Sequence, residues 1–155
     1  MTPETNAQPN SEIELLSFRL ADQEYSVDIM HVREIRGWTR ATPLPHAPAH
    51  VRGVINLRGS VLTVIDLSTR LGLAPAARDA RNVIIVVQVG SQTAGLLVDA
   101  VSDILALPRH MLQEPPGLAG DSAHSFIEAL TIVEDRMIRV LNLNAVLPKG
   151  GSVAA

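Results

Sequence analysis

The sequence predicts an all-β protein with short helices, and three observations lead there. The apolar segments are short and rich in Val and Ile; turn-forming residues separate them; and several alternate apolar with polar positions in the two-residue period of a strand. With 46% hydrophobic but only 3% aromatic residues, the core must be aliphatic. At 155 residues the chain has the size of one domain, and a chain of that length buries roughly 70% of its unfolded surface.

Taken in order, residues 1–11 carry neither a basic start nor an apolar run, so they read as a disordered tail and not as a signal peptide. The folded region is expected over 12–148. From Glu14 to Leu20 the alternation of Leu16, Phe18 and Leu20 gives one buried face, and Ala21-Asp22-Gln23-Glu24 turns the chain into Tyr25 to Ile29. That is a hairpin. Val83 to Val89, the turn Gly90-Ser91-Gln92-Thr93 and Ala94 to Asp99 make a second.

The two hairpins share more than their shape. Each ends in Val-Asp (Val27-Asp28, Val98-Asp99), and each is followed by a related stretch, Val32-Arg33-Glu34-Ile35 or Val101-Ser102-Asp103-Ile104. Val64 to Leu71 is echoed by Val140 to Leu147, a strand running into Asp66 or Asn142, whose side chain can cap a short helix. Three matches in one order imply a duplicated unit at a spacing of about 70 to 76 residues, with chance likeness among aliphatic strands as the competing explanation. Duplication predicts two barrel-like lobes, one over about 12–72 and one over about 81–148. A linker at 73–80 follows Gly72, which suits the end of a helix, and contains Pro75, which stops it. A polar loop over 113–125 and a tail over 149–155 are expected to be flexible.

Composition removes whole classes of function. A net charge of −3, a pI near 5.9 and scattered arginines leave no footprint for nucleic acid, so a nucleic-acid-binding barrel is excluded on charge. The longest wholly apolar run, Val83 to Val87, is too short to span a membrane, and a cytoplasmic protein without membrane insertion is expected. The absence of cysteine excludes disulfides, thiolate metal sites and a thiol nucleophile. His46 and His50 stand four apart, but Pro45 and Pro48 oppose a helix there and no third ligand is close; a small metal-binding barrel is the distant alternative. His31, His110 and His124 are isolated. Asp28, Asp66, Asp99 and Asp103 sit at strand ends, where capping backbone amides explains them better than acid catalysis. No nucleophile elbow, phosphate loop or dinucleotide fingerprint is present. The expectation is a protein with no catalytic residues, no cofactor, no metal and no small-molecule substrate.

One segment asks for a functional explanation. Between Val51 and Leu67, Asn56-Leu57-Arg58-Gly59 joins two strands; the Asn and Gly are what a tight turn requires, but the arginine is not. A long cation at the tip of a rigid hairpin is placed to meet a carboxylate, on a neighbouring strand or on a partner.

Arg52-Gly53-Val54-Ile55-Asn56-Leu57-Arg58-Gly59 followed by Val64-Ile65-Asp66-Leu67 closely resembles the signature of the CheW family of chemotaxis coupling proteins. Tyr25 to Ile29 with Val32 to Gly37, Gly95 to Leu105, and Glu134-Asp135-Arg136-Met137 resemble further family segments, in order, from about Glu12 to Leu147. Thr63 stands where the family often has Pro, and Ala100 where Gly is common. The resemblance implies two five-stranded SH3-like β-barrel lobes with a groove between them. It implies an adaptor that couples chemoreceptor tips to the regulatory domain of the histidine kinase CheA, associated with membrane receptor arrays through protein contacts alone. By family position, Arg58 goes to receptor contact with Glu34 as its intramolecular partner, together with Asn56 and Leu57. Leu16, Ile29 and Val32 are assigned to kinase contact, with core packing as the competing reading. A CheW-like adaptor of a twitching or surface-sensing pathway is the alternative the sequence leaves open.

Overall fold

The computed structural model describes residues 12–74, 81–115 and 126–147. The expected tails at 1–11 and 149–155, most of the linker and most of the 113–125 loop lie outside the described residues. Ten strands run in order: β1 (Glu12–Leu20), β2 (Gln23–Asp28), β3 (Val32–Gly37), β4 (Val51–Leu57), β5 (Ser60–Asp66), β6 (Val83–Val89), β7 (Gln92–Val98), β8 (Ala100–Pro108), β9 (Ile127–Val133) and β10 (Arg136–Leu141). Two one-turn helices, α1 (Leu67–Arg70) and α2 (Leu143–Val146), follow β5 and β10. Both are capped as the sequence indicates: Asp66 accepts from the Thr69 amide and Asn142 from the Asn144 amide. Gly72, at φ 85°, ends α1 in the left-handed region.

The strands form two five-stranded sheets: a terminal sheet ordered β8-β1-β2-β10-β9 and a middle sheet ordered β3-β6-β7-β5-β4. Advancing each strand of the middle sheet by five, cyclically, reproduces the terminal sheet. The duplication is therefore visible in topology, and it reaches the irregularities. The register shift in β3–β6 between Val32 and Glu34 recurs in β8–β1 between Val101 and Ile104, and that of β4–β5 at Val51/Gly53 recurs in β9–β10 at Ile127/Ala129. The parallel pairs Val64–Gly95 and Val140–Ser26 fix the hairpin alignment, so Val27 corresponds to Leu96 and not to Val98, as the Val-Asp match had indicated.

The lobes do not follow the chain as expected, with one over 12–72 and the other over 81–148. The hairpin β1–β2 completes the sheet of the second repeat, and β6–β7 completes that of the first. The physical reason is that β2 pairs in parallel with β10, and β7 with β5, so each repeat lends its hairpin to the other.

Three apolar clusters explain the stability. Leu16, Phe18, Val27, Ile65, Ile85, Leu96 and Val146 belong to a shared seam between the sheets. Ile55, Leu62, Val64, Ile84, Val86 and Leu97 fill the middle barrel, and Ile13, Leu15, Leu107, Ala129 and Val140 fill the terminal one. Strands β1 and β6 thus have both faces buried, one toward their own barrel and one toward the seam. Each barrel is closed by one bridge, Thr42 with Val54 and Gln113 with Leu130.

Candidate functional site: a docking turn on the middle barrel

Leu57 pairs with Ser60, so β4 and β5 are joined by Arg58 and Gly59 alone. Both residues have positive φ, 52° and 87°, the geometry of the primed hairpin turn that matches strand twist. Glycine adopts it freely; holding Arg58 there costs about 1 kcal/mol. Asn56 secures the turn, its Oδ1 accepting from the Gly59 amide at 2.8 Å. Leu57 is half-buried against the middle-barrel core and anchors the base.

The arginine is displayed, with a side chain 70% exposed, and its direction is set by one carboxylate. Arg58 Nη2 donates to Glu34 Oε1 at 2.6 Å, while Glu34 Oε2 accepts from Arg36 Nη1 at 3.2 Å. Hydrogen bonds from Arg58 first and Arg36 second hold the Glu34 carboxyl below its usual range. The intramolecular partner expected from the sequence is thus the one found. Glu34, Asn56, Leu57 and Arg58 come together at one end of the middle barrel.

Two apolar neighbours escaped the sequence reading. Val61, opposite Asn56, is 75% exposed, and Ile35, beside Glu34, is also exposed. Parity carries no signal for Val61, because β5 buries residues on both faces and Ile65, on the parity of Val61, is fully buried.

The three residues assigned to kinase contact divide. Leu16 is 1% exposed and lies in the shared seam, so it offers no surface to a partner, and its assignment is corrected to core. Ile29, the first residue of the 3₁₀ turn Ile29–His31, and Val32, directly after it, are half-buried and packed against that seam. The exposed side chain there is Met30, at 75%. Asp28 caps this turn by accepting from the Met30 amide at 3.0 Å. Asp99 Oδ2 likewise accepts from the Ala21 amide at 2.7 Å, so backbone binding holds for Asp28, Asp66 and Asp99, whereas Asp103 lies inside β8 and its carboxylate meets the Ser17 hydroxyl and Arg136 instead. His46 is exposed and His50 half-buried; among the described residues no group of three or more His, Cys, Asp or Glu could hold a metal. No helix among them is long and apolar enough to cross a membrane.

The equivalent turn on the terminal barrel is built from Glu134 and Asp135, at φ 52° and 67°. Its cation, Arg136, is turned inward, with Nη1 at 3.1 Å from the buried Glu24 and Nη2 at 3.8 Å from Asp103. Asp103 is the counterpart of Glu34. The displayed guanidinium therefore belongs to one lobe only.

The model of the CheW-like domain family matches residues 14–150. The chain belongs to this family. It is 51% identical to the chemotaxis protein CheW of Rhizobium meliloti (strain 1021) over 155 residues, covering 100% of both chains. To the probable chemotaxis protein CheW of Rhizobium etli it is 51% identical over 142 residues, 92% of each. The crystal structure of the scaffolding protein TtCheW from Thermoanaerobacter tengcongensis superposes with a TM-score of 0.81 at 31% identity, covering 91% of this chain and 96% of that one. The resemblance read from the sequence is borne out, as is the fold class it implied. Membership of a CheW-type scaffold family places the chain in chemotaxis signalling.

Proposed function

We propose that this chain is a non-catalytic adaptor that holds the cytoplasmic tip of a chemoreceptor and the regulatory domain of the histidine kinase CheA together, in the cytoplasm and through protein contacts alone. One observation carries the reading. A guanidinium is held outward in a left-handed turn position, fixed by Glu34 and Asn56, on a barrel that also exposes Val61, paired with Asn56 at the base of the turn, and Ile35 on β3. A displayed charge on a surface that also exposes apolar side chains is the composition of a protein interface, where apolar area supplies affinity and the charge supplies orientation. Glu34, Asn56, Leu57 and Arg58 form the receptor-facing surface. The kinase-facing surface is the 3₁₀ turn, with Met30 as its contact and Ile29 and Val32 supporting it from below.

Neither contact has to be strong. A coupler engaging two partners in an array gains effective concentration from the first for the second. The test is a reconstituted array with two variants. Arg58→Glu places a second carboxylate opposite Glu34 and is expected to abolish receptor-dependent kinase activation while keeping kinase binding and the thermal melt. Met30→Glu is expected to lose kinase binding and keep receptor binding. Full activation by the Arg58 variant would overturn the receptor assignment.

A further inference from the structure

The middle barrel has a second concave feature, away from the docking turn. Past β3 the chain crosses its open end as a strap, fastened where Thr42 and Val54 exchange hydrogen bonds of 2.8 and 2.9 Å. Between strap and barrel lies a cleft of about 330 Å³, within the usual size of ligand sites, lined among others by Trp38, Arg40, Arg52, Val64 and Leu97. Its apolar wall is Trp38, which packs against the barrel core of Val64 and Leu97, themselves only 1% and 2% exposed.

Its rim is cationic. Arg52 donates through Nε and Nη2 to Asp66 Oδ2 at 3.2 and 3.1 Å. Arg40 is exposed and forms no ion pair among the described residues. Asp66 answers the Arg52 charge, so the positive charge at the rim is that of Arg40.

We propose that this cleft binds a small planar organic anion, an aromatic monocarboxylate, with the ring against Trp38 and the carboxylate at Arg40. An indole face suits a flat apolar body, and a guanidinium suits a carboxylate. Such a molecule would be held and not transformed.

The chain provides its own probe, since Trp38 is its one tryptophan. Benzoate titrated into the full-length protein is expected to move the single indole N–H resonance saturably. Benzamide, of the same shape without the charge, should bind about tenfold more weakly, and Arg40→Ala should weaken benzoate by about the same factor, the loss of one charge-assisted contact. Arg40 is exposed, so this variant keeps the fold. No saturable shift with benzoate at tens of millimolar, equal binding of benzamide, or undiminished binding by the Arg40 variant would each overturn the proposal.

Discussion

Replacing Gly53 by alanine tests the architecture at its tightest point. Gly53 has φ 140°, a conformation that L side chains rarely adopt, and a Cβ there would overlap the Thr42 carbonyl oxygen. The variant carries the strained backbone, and the overlap forces the strap to lift as well. Strain of this kind costs about 1–3 kcal/mol. Lifting the strap gives up both Thr42–Val54 hydrogen bonds, at about 1 kcal/mol each. A loss of about 3 kcal/mol is expected, a large share of the roughly 5–15 kcal/mol that holds a domain together. With a urea dependence of about 1–3 kcal/mol per molar, the unfolding midpoint should fall by more than about 1 M. The duplication supplies the control. Ala129 occupies the equivalent position in β9, without a positive φ, so Ala129→Gly should cost no more than about 1 kcal/mol. A Gly53→Ala midpoint within a few tenths of a molar of the parent would refute the close-approach argument.

Other expectations follow from single contacts. Arg70 donates from Nε and Nη2 to the Val146 and Ala145 carbonyls, each at 3.0 Å, and lies 5.0 Å over the Phe126 ring, so it pins α1 of one repeat to α2 of the other. Arg70→Ala should cost about 2–3 kcal/mol in chemical denaturation. Burial first, and the Arg70 charge second, press the His50 pKa below its ordinary value. The unfolded chain therefore takes up a proton near pH 6.5 that the folded one refuses, and stability is lost as pH falls through that value. His50→Gln should flatten the fall in melting temperature between pH 7.5 and 5.5. At Glu128, which keeps an exposed side chain in β9, partial desolvation first and the Asp28 charge second raise the pKa, against opposing effects of His31 and Arg109. The folded state holds that proton longer, so stability falls as pH rises past the normal carboxylate range, and Glu128→Gln should melt higher than the parent at pH 7.

What the sequence disclosed depended on whether an interaction was local. Both hairpins were legible because alternation and turn chemistry are properties of adjacent residues, and Asp66 and Asn142 announced their helices for the same reason. The exchange of hairpins between repeats was not legible. Alternation says which face of β2 is buried, but not that β10 lies alongside it in parallel, a choice settled by residues more than a hundred positions away. Leu16 shows the same limit. It was read as one buried face of β1, whereas the Leu15-Leu16 doublet feeds two clusters, the terminal-barrel core and the seam. The Arg58–Glu34 pair is implied by the family resemblance, whereas the exposure of Val61 is not legible, because Ile65 on the same parity of β5 is buried.

The duplication also explains why one lobe alone displays its arginine. Both barrels inherit a two-residue primed turn opposite an acidic strand residue, Glu34 or Asp103. In the terminal barrel the turn is Glu134-Asp135 and the arginine has moved to the first residue of β10, from which it reaches buried Glu24. In the middle barrel the arginine occupies the turn, and the position equivalent to Arg136 is Ser60, with no guanidinium to draw inward. A shift of two residues thus converts an internal ion pair into a displayed one, on the same backbone and at the same end of the barrel. Two identical lobes would present one partner with two equivalent sites. On the proposed reading the receptor meets the one hairpin that displays its arginine, and the kinase meets a different surface at the 3₁₀ turn.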